Sequence, residues 1–173
     1  WFSPSDGVLS VLRNEVSRAD ASIHFCILSF TRDDVAGDMR GKWYYTPGFE
    51  LRGVFDSAEG SNPDSEYPDM IGGGSEPWAP PADVWLDVEA GLLHHKYMIL
   101  DVNQEPLAPT VITGSANWSS NATYDNDENM VVVRDFAVAN QYFQEFSSRY
   151  HIAGGAGQGE KATVHYDEAY GLV

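Results

Sequence analysis

Apolar positions along this chain fall into short runs that alternate between strand-like and helix-like spacing. Val8, Leu9, Leu12 and Val16 recur at helical intervals behind the cap-forming Ser3-Pro4-Ser5-Asp6, which predicts a first helix over 7–19. Residues 22–30, Ser-Ile-His-Phe-Cys-Ile-Leu-Ser-Phe, are apolar almost throughout and partly β-branched, the pattern of a central strand covered on both faces. A short second helix is predicted over 33–40, ended by Gly41, and residues 50–55 alternate as a strand with Leu51, Val54 and Phe55 as its apolar members. Further strands are predicted at 84–86, 96–101, 110–113 and 130–134, then a last helix over 136–150 with Val138, Tyr142, Phe143 and Phe146 turned inward. Residues 57–81 break the rhythm: Gly, Pro, Ser and acids dominate, with Gly72-Gly73-Gly74 and Pro80-Pro81, so a long loop with little regular structure is expected.

Strands alternating with helices indicate an α/β fold, a mixed and mostly parallel β-sheet sandwiched between helices. The domain is expected to span 1–153. Gly154-Gly155-Ala156-Gly157 then marks a flexible exit, and the pattern gives no reading of the tail 154–173. No internal repeat is visible. At 173 residues, 43% hydrophobic and 13% aromatic, the chain is one folded domain, and no stretch approaches the ~20 apolar residues needed to span a bilayer.

Charge narrows the partners. A net charge of −16 argues against a duplex-groove binder with a basic face and against attraction to anionic lipid surfaces. Its plain reading is solubility in a salty or extracellular setting. Cys26 is the only cysteine, so no intrachain disulfide can form, and its apolar surroundings make it a packing residue. The chain opens on Trp1 rather than methionine, and an upstream segment that has been removed is expected, with export from a bacterial cell as the matching compartment.

The chemistry concentrates between His94 and Asn129. In Leu-His94-His95-Lys96-Tyr97-Met98-Ile99-Leu100-Asp101, alternation puts His94 and Lys96 on one sheet face and His95 on the other. An imidazole and an ammonium aimed at one small volume suit attack on a phosphate: one bonds to phosphorus, the other neutralises charge growing on oxygen. After twelve intervening residues Asp101 is followed by Gly114-Ser115-Ala116-Asn117, whose glycine lets backbone approach a ligand and whose hydroxyl and amide can bond phosphate oxygens. Asp101, five positions past Lys96, should face away from His94 and anchor backbone instead. His24, a lone histidine in a buried run, reads as a core residue.

H-x-K-x4-D followed by G-S-x-N resembles the signature of the phospholipase D superfamily, the HKD motif. Asn126-Asp127-Glu128-Asn129 with the apolar run behind it resembles the family's acidic segment, 137–146 its closing helix, and Phe2-Ser3-Pro4 with 21–31 its opening. The resemblance covers roughly residues 1–150 and leans to the nuclease branch of the family. It implies a two-step route without metal or cofactor. His94 forms a covalent phosphohistidine, a second histidine protonates the leaving oxygen, and water or an alcohol resolves the intermediate. It further implies that Lys96, Ser115 and Asn117 bind the phosphate, and that Glu128 orients the imidazole, with Asp101 and Gly114 as structural members of the motif.

Two departures matter. The Asp-to-Gly spacing is longer than the family's, which predicts a lengthened hairpin loop around 102–109, and the chain carries one motif where the mechanism needs two. The second copy must come from a homodimer mate or from a missing N-terminal half, because the wording around His94 and Gly114 resembles the C-terminal copy of bacterial two-copy proteins. Nucleic acid is the leading substrate. Hydrolysis or transphosphatidylation of phospholipids is the alternative, with Trp43, Tyr44, Tyr45, Trp78 and Trp85 as loop aromatics, and a non-catalytic half-domain awaiting its partner is the second. Arg32, Arg40, Lys42 and Arg52 are the cations that could serve a nucleic-acid site if they converge.

Overall fold

The computed structural model describes residues 1–102, 108–155, 166–167 and 171–172. Its centre is a seven-stranded sheet in the order β1-β7-β6-β5-β2-β3-β4. These strands are β1 (Phe2–Ser3), β2 (Ser22–Ile27), β3 (Glu50–Phe55), β4 (Asp83–Leu86), β5 (Lys96–Leu100), β6 (Thr110–Gly114) and β7 (Glu128–Val133). The helices are α1 (Val8–Arg18), α2 (Asp33–Tyr45), single turns α3 (Ser57–Gly60) and α4 (Tyr67–Met70), α5 (Ser120–Tyr124) and α6 (Phe136–Ile152). The short strands β8 (Tyr166–Asp167) and β9 (Gly171–Leu172) pair with each other.

The sheet is mixed, but it is not mostly parallel. Only β2–β3 and β3–β4 are parallel, while β1–β7, β2–β5, β5–β6 and β6–β7 are antiparallel. Helical crossovers separate β2 from β3, which forces a parallel pair. From β5 onward the connections return the chain beside itself, and antiparallel pairing follows.

Period-two alternation sorts the central strands between two cores. Ile23, Phe25 and Ile27 of β2, with Met98 and Leu100 of β5, pack beneath α1 and α2. Cys26, Tyr97 and Ile99 face the other way, beneath Ala139, Phe146 and Tyr150 of α6. His24 lies on this second side, buried, with ring edges against Phe143 and Phe146, and burial pushes its pKa down. Phe25 fits because its β3 partner is Gly53, where a side chain would meet the ring at 2.1 Å.

Two loop expectations change. α2 runs through Gly41 to Tyr45, because Gly37 and Gly41 sit on open faces while Val35, Ala36 and Met39 are buried and Trp43 and Tyr44 pack on the core. Packing of that face outweighs the roughly 1 kcal/mol that glycine costs in a helix. The 57–81 segment is irregular but tied down: it contains α3 and α4 and inserts Met70 and Trp78 into the core. The lengthened loop expected at 102–109 falls at 103–107 outside the described residues, as does most of the tail 154–173.

Candidate active site

The motif residues gather at one end of the sheet, where β5 begins, β6 ends and β7 begins. Lys96 opens β5 opposite Ile27, and Tyr97 pairs with Thr113, so Lys96 lies level with Gly114. Gly114 in turn pairs with Met130, which brings Ser115 beside Asn129. Gly114 has φ +153°, and a Cβ there would stand 2.1 Å from the Asn129 carbonyl oxygen. Only glycine lets β6 and β7 close at this corner.

Lys96 is buried on the α1 side of the sheet, and its Nζ donates to the His94 carbonyl at 2.9 Å. Burial pushes its pKa down, while the charge of Glu128 opposes that shift. His94 itself precedes the strand and is exposed, and its imidazole makes no hydrogen bond among the described residues. Strand alternation therefore does not dictate where its imidazole points. His95 faces α6, edge-on to Tyr97 and 3.5 Å from Glu145, as its place in the alternation expects.

The Ser115 hydroxyl accepts from the Asn129 backbone N–H at 3.0 Å and from its Nδ2 at 3.3 Å, leaving its own proton to donate. Asn117 Oδ1 accepts from the Ser29 N–H at 3.3 Å, so its amide N–H groups are turned to other uses. Glu128 is half-buried at the start of β7 and accepts from Asn126 Nδ2 at 3.2 Å. Among the described residues no bond joins it to His94; within this chain its charge acts on Lys96. Asp101 lies at the far end of β5 with φ +54°, and its carboxylate accepts backbone N–H bonds from Asp20, Ala21 and Ser22 at 2.7–3.1 Å.

Three contributors take roles that sequence reasoning did not fix, Arg32 among its candidate cations. The buried Ser3 hydroxyl donates to the Asn126 carbonyl and accepts from the Glu128 N–H, pinning the acidic segment to the N-terminal strand. Asn129 holds Ser115, and Arg32 joins Lys96, Gly114 and Asn117 in lining one narrow cleft. No local signal marks such pairings, since Ser3 and Glu128 lie 125 residues apart. The other cations do not converge: Arg52 pairs with Glu50 and Asp83 on β3 and β4, Arg40 lines a separate cavity, and Lys42 sits at the end of α2. Of the aromatics, Trp78 is buried, Trp43 and Tyr44 pack on the core, and Tyr45 is exposed.

The cleft encloses about 10 Å³, room for no more than one water. Its apolar side is formed by Leu9 and Leu12 of α1. One chain therefore presents one lysine, two asparagines and one arginine around a shallow floor with an exposed histidine at its edge. Lys96 and the Asn117 amide can hold phosphate oxygens there. Among the described residues no three His, Cys, Asp or Glu side chains are grouped as metal ligands.

Comparison with known proteins agrees with this geometry. Residues 12–150 match the family model described as cardiolipin synthase, PLD-like domain. The mitochondrial cardiolipin hydrolase of Xenopus tropicalis is 26% identical over 142 residues, covering 82% of this chain and 60% of that protein. A phospholipase D of Rickettsia felis is 26% identical over 153 residues, covering 86% of this chain and 66% of that protein. The chain thus spans about 60% of the length of the cardiolipin hydrolase it matches. NucT from Helicobacter pylori superposes with a TM-score of 0.74 at 21% identity, over 90% of this chain and 96% of its own. Nuc from Salmonella typhimurium, a phospholipase D family member, does so with 0.74 at 22% identity, over 90% and 94%. At those identities the structural likeness establishes the fold.

Proposed function

The chain belongs to the phospholipase D-like family, and we propose that it is a phosphodiesterase that cleaves nucleic-acid phosphodiester bonds through a phosphohistidine at His94. A ring nitrogen of His94 attacks phosphorus as the P–O bond to the leaving group breaks. A second histidine, contributed by another copy of the motif, gives its proton to the departing oxygen, and water then attacks the phosphohistidine and restores the ring. Lys96 and Asn117 hold the non-bridging oxygens, with the Ser115 hydroxyl as a further donor, where their positive ends offset the growing charge. Glu128 supplies the carboxylate that fixes the imidazole tautomer, in the competent assembly rather than in the lone chain.

The observation that carries this reading is the convergence at one sheet corner of Lys96, Gly114 and Asn117, all lining the same cleft, with Lys96 bonded to the backbone of the exposed His94. An exposed histidine beside a shallow cleft fits a half-site that a second copy completes. Nucleic acid is favoured because this fold is nearly coextensive with the compact NucT and Nuc. Phospholipid cleavage is the second reading, favoured by the names of the curated relatives, cardiolipin hydrolase and phospholipase D.

The test sets the protein against plasmid DNA and against cardiolipin and phosphatidylcholine vesicles, with EDTA present, after its oligomeric state has been measured. Turnover is stopped in alkali, which preserves N–P bonds, and peptides are mapped by mass spectrometry. DNA nicking with His94 joined through phosphate to the retained nucleotide is expected, together with complete loss of activity in a folded His94→Ala protein. An active dimer with unmodified His94 would refute the covalent route, and lipid cleavage without DNA nicking would move the substrate to the second reading.

A further inference from the structure

Next to the cleft stands a pair of side chains that the phosphate chemistry does not use. Arg32, at the N-terminal edge of α2, lines the cleft with Lys96 and is locked in plane by Asp34: Nε donates to Oδ1 at 2.9 Å and Nη2 to Oδ2 at 2.7 Å. Its Nη1 donates to the Ser120 hydroxyl at 3.2 Å, which fixes the guanidinium against α5. Tyr124, at the end of α5, lies beneath that plane with its ring centroid 5.6 Å from the Arg32 Cζ, and remains 58% exposed. The neighbouring Thr123 lines the cleft itself.

A flat cation held by three bonds over an exposed aromatic ring, at the rim of a phosphate cleft, is a stacking platform. Asp34 offsets much of the Arg32 charge, so an electrostatic role alone would be poorly served in a chain of net charge −16. What the pair offers is surface and direction: an exposed aromatic face beside a guanidinium plane fixed by three bonds. A lipid tail has no flat face to lay on those planes, whereas a nucleobase presents a π-face.

We propose that Arg32 and Tyr124 form a base-binding subsite that seats the nucleotide flanking the scissile phosphate and sets the polarity of the strand across the cleft. This rests on the nucleic-acid reading above and names what that reading leaves open, namely where the strand runs beyond Lys96.

The experiment measures fluorescence anisotropy of a labelled single-stranded DNA 10-mer, and of the same strand with abasic sites, on the His94→Ala protein, which binds without turnover. The base-bearing strand is expected to bind about tenfold more tightly, within the range seen when one stacked base is lost. Adding Tyr124→Leu should erase that preference, Tyr124→Phe should keep it, and Arg32→Lys should reduce it, with all variants melting near the parent temperature. Retention of the base preference in Tyr124→Leu overturns the subsite while leaving nuclease activity standing. If the His94→Ala protein binds neither strand and the parent protein nicks no DNA, the subsite and the nucleic-acid reading are overturned together.

Discussion

Replacing Asp101 should damage the fold rather than the chemistry, by an amount the local geometry sets. Its carboxylate collects the N–H groups of Asp20, Ala21 and Ser22, where α1 hands over to β2. These three donors differ in what they do when abandoned. Asp20 is exposed and water replaces its partner; Ala21 is half-buried; Ser22 is fully buried and its N–H would be stranded. Stranding a buried donor costs about 1–3 kcal/mol, and a partly wet one about 1 kcal/mol. Alanine at φ +54° adds about 1 kcal/mol of left-handed strain that Asp and Asn tolerate better. Asp101→Ala is therefore expected to lose about 3–5 kcal/mol, or roughly 6–20 °C in melting temperature for a domain of this size. Asp101→Asn keeps one acceptor oxygen and the backbone preference and should lose only about 1–2 kcal/mol. Urea titrations at neutral pH give both values, and phosphodiesterase rate per folded molecule should stay near the parent rate in both. An Asp101→Ala protein within about 0.5 kcal/mol of the parent would refute the anchoring argument.

Three further outcomes follow from the same physical reasoning. Lys96→Met should lower turnover about 10²–10³-fold, the usual loss for one charge-stabilising donor, yet melt no lower than the parent because a buried ammonium is removed. Since burial lowers the Lys96 pKa and the ammonium is the working form, the alkaline limb of the rate profile should fall below 10.5, the ordinary lysine value. Gly114→Ala should cost about 2–3 kcal/mol and most of the activity, because its Cβ forces the β6–β7 corner apart; a thermal melt and a rate assay read both. The Glu66 carboxyl, buried and facing Asp33, Asp69 and Glu76, is pushed up to about 8 from 4.5. The folded state thus keeps a proton that the unfolded chain sheds, and this contribution is whole below pH 4.5 and lost as pH rises through 8. Glu66→Gln should therefore raise stability at pH 8.5 by about 2 kcal/mol after allowance for partial solvation and leave it unchanged at pH 4, as differential melts would show.

Most of the fold was legible because its central strands are two-sided. Alternation alone separates Ile23, Phe25 and Ile27 from His24 and Cys26, and the structure puts those two sets in different cores. What period two could not reveal was strand direction, which depends on what joins the strands rather than on what they contain. Two parallel pairs therefore sit in a sheet expected to be mostly parallel. α2 outran Gly41 for a related reason: the glycines lie on its solvent side, and the packing of Val35 and Met39 that carries the helix is a tertiary fact. In 57–81 the turn-forming composition was real, but Met70 and Trp78 each find a core that no local rule locates.

The site divides along the same line, and the division explains why one chain looks unfinished. Residues set by strand register are legible: Lys96 must share a face with Met98, and Gly114 must sit level with it once β5 and β6 pair. His94 lies two positions ahead of β5, where register no longer dictates direction, and no neighbour among the described residues holds its ring. Glu128, the expected holder, is occupied with Asn126 and with the field of Lys96. A nucleophile must be held in a near-attack geometry to work, and an unheld imidazole loses much of that advantage. On the proposed half-site, either Glu128 turns to His94 when a second copy closes the cleft, or the mate supplies the bond. Both require that activity rise with the square of protein concentration under dilution below the dimer dissociation constant. A rate strictly proportional to concentration, in a proven monomer, would mean that the lone His94 is already competent.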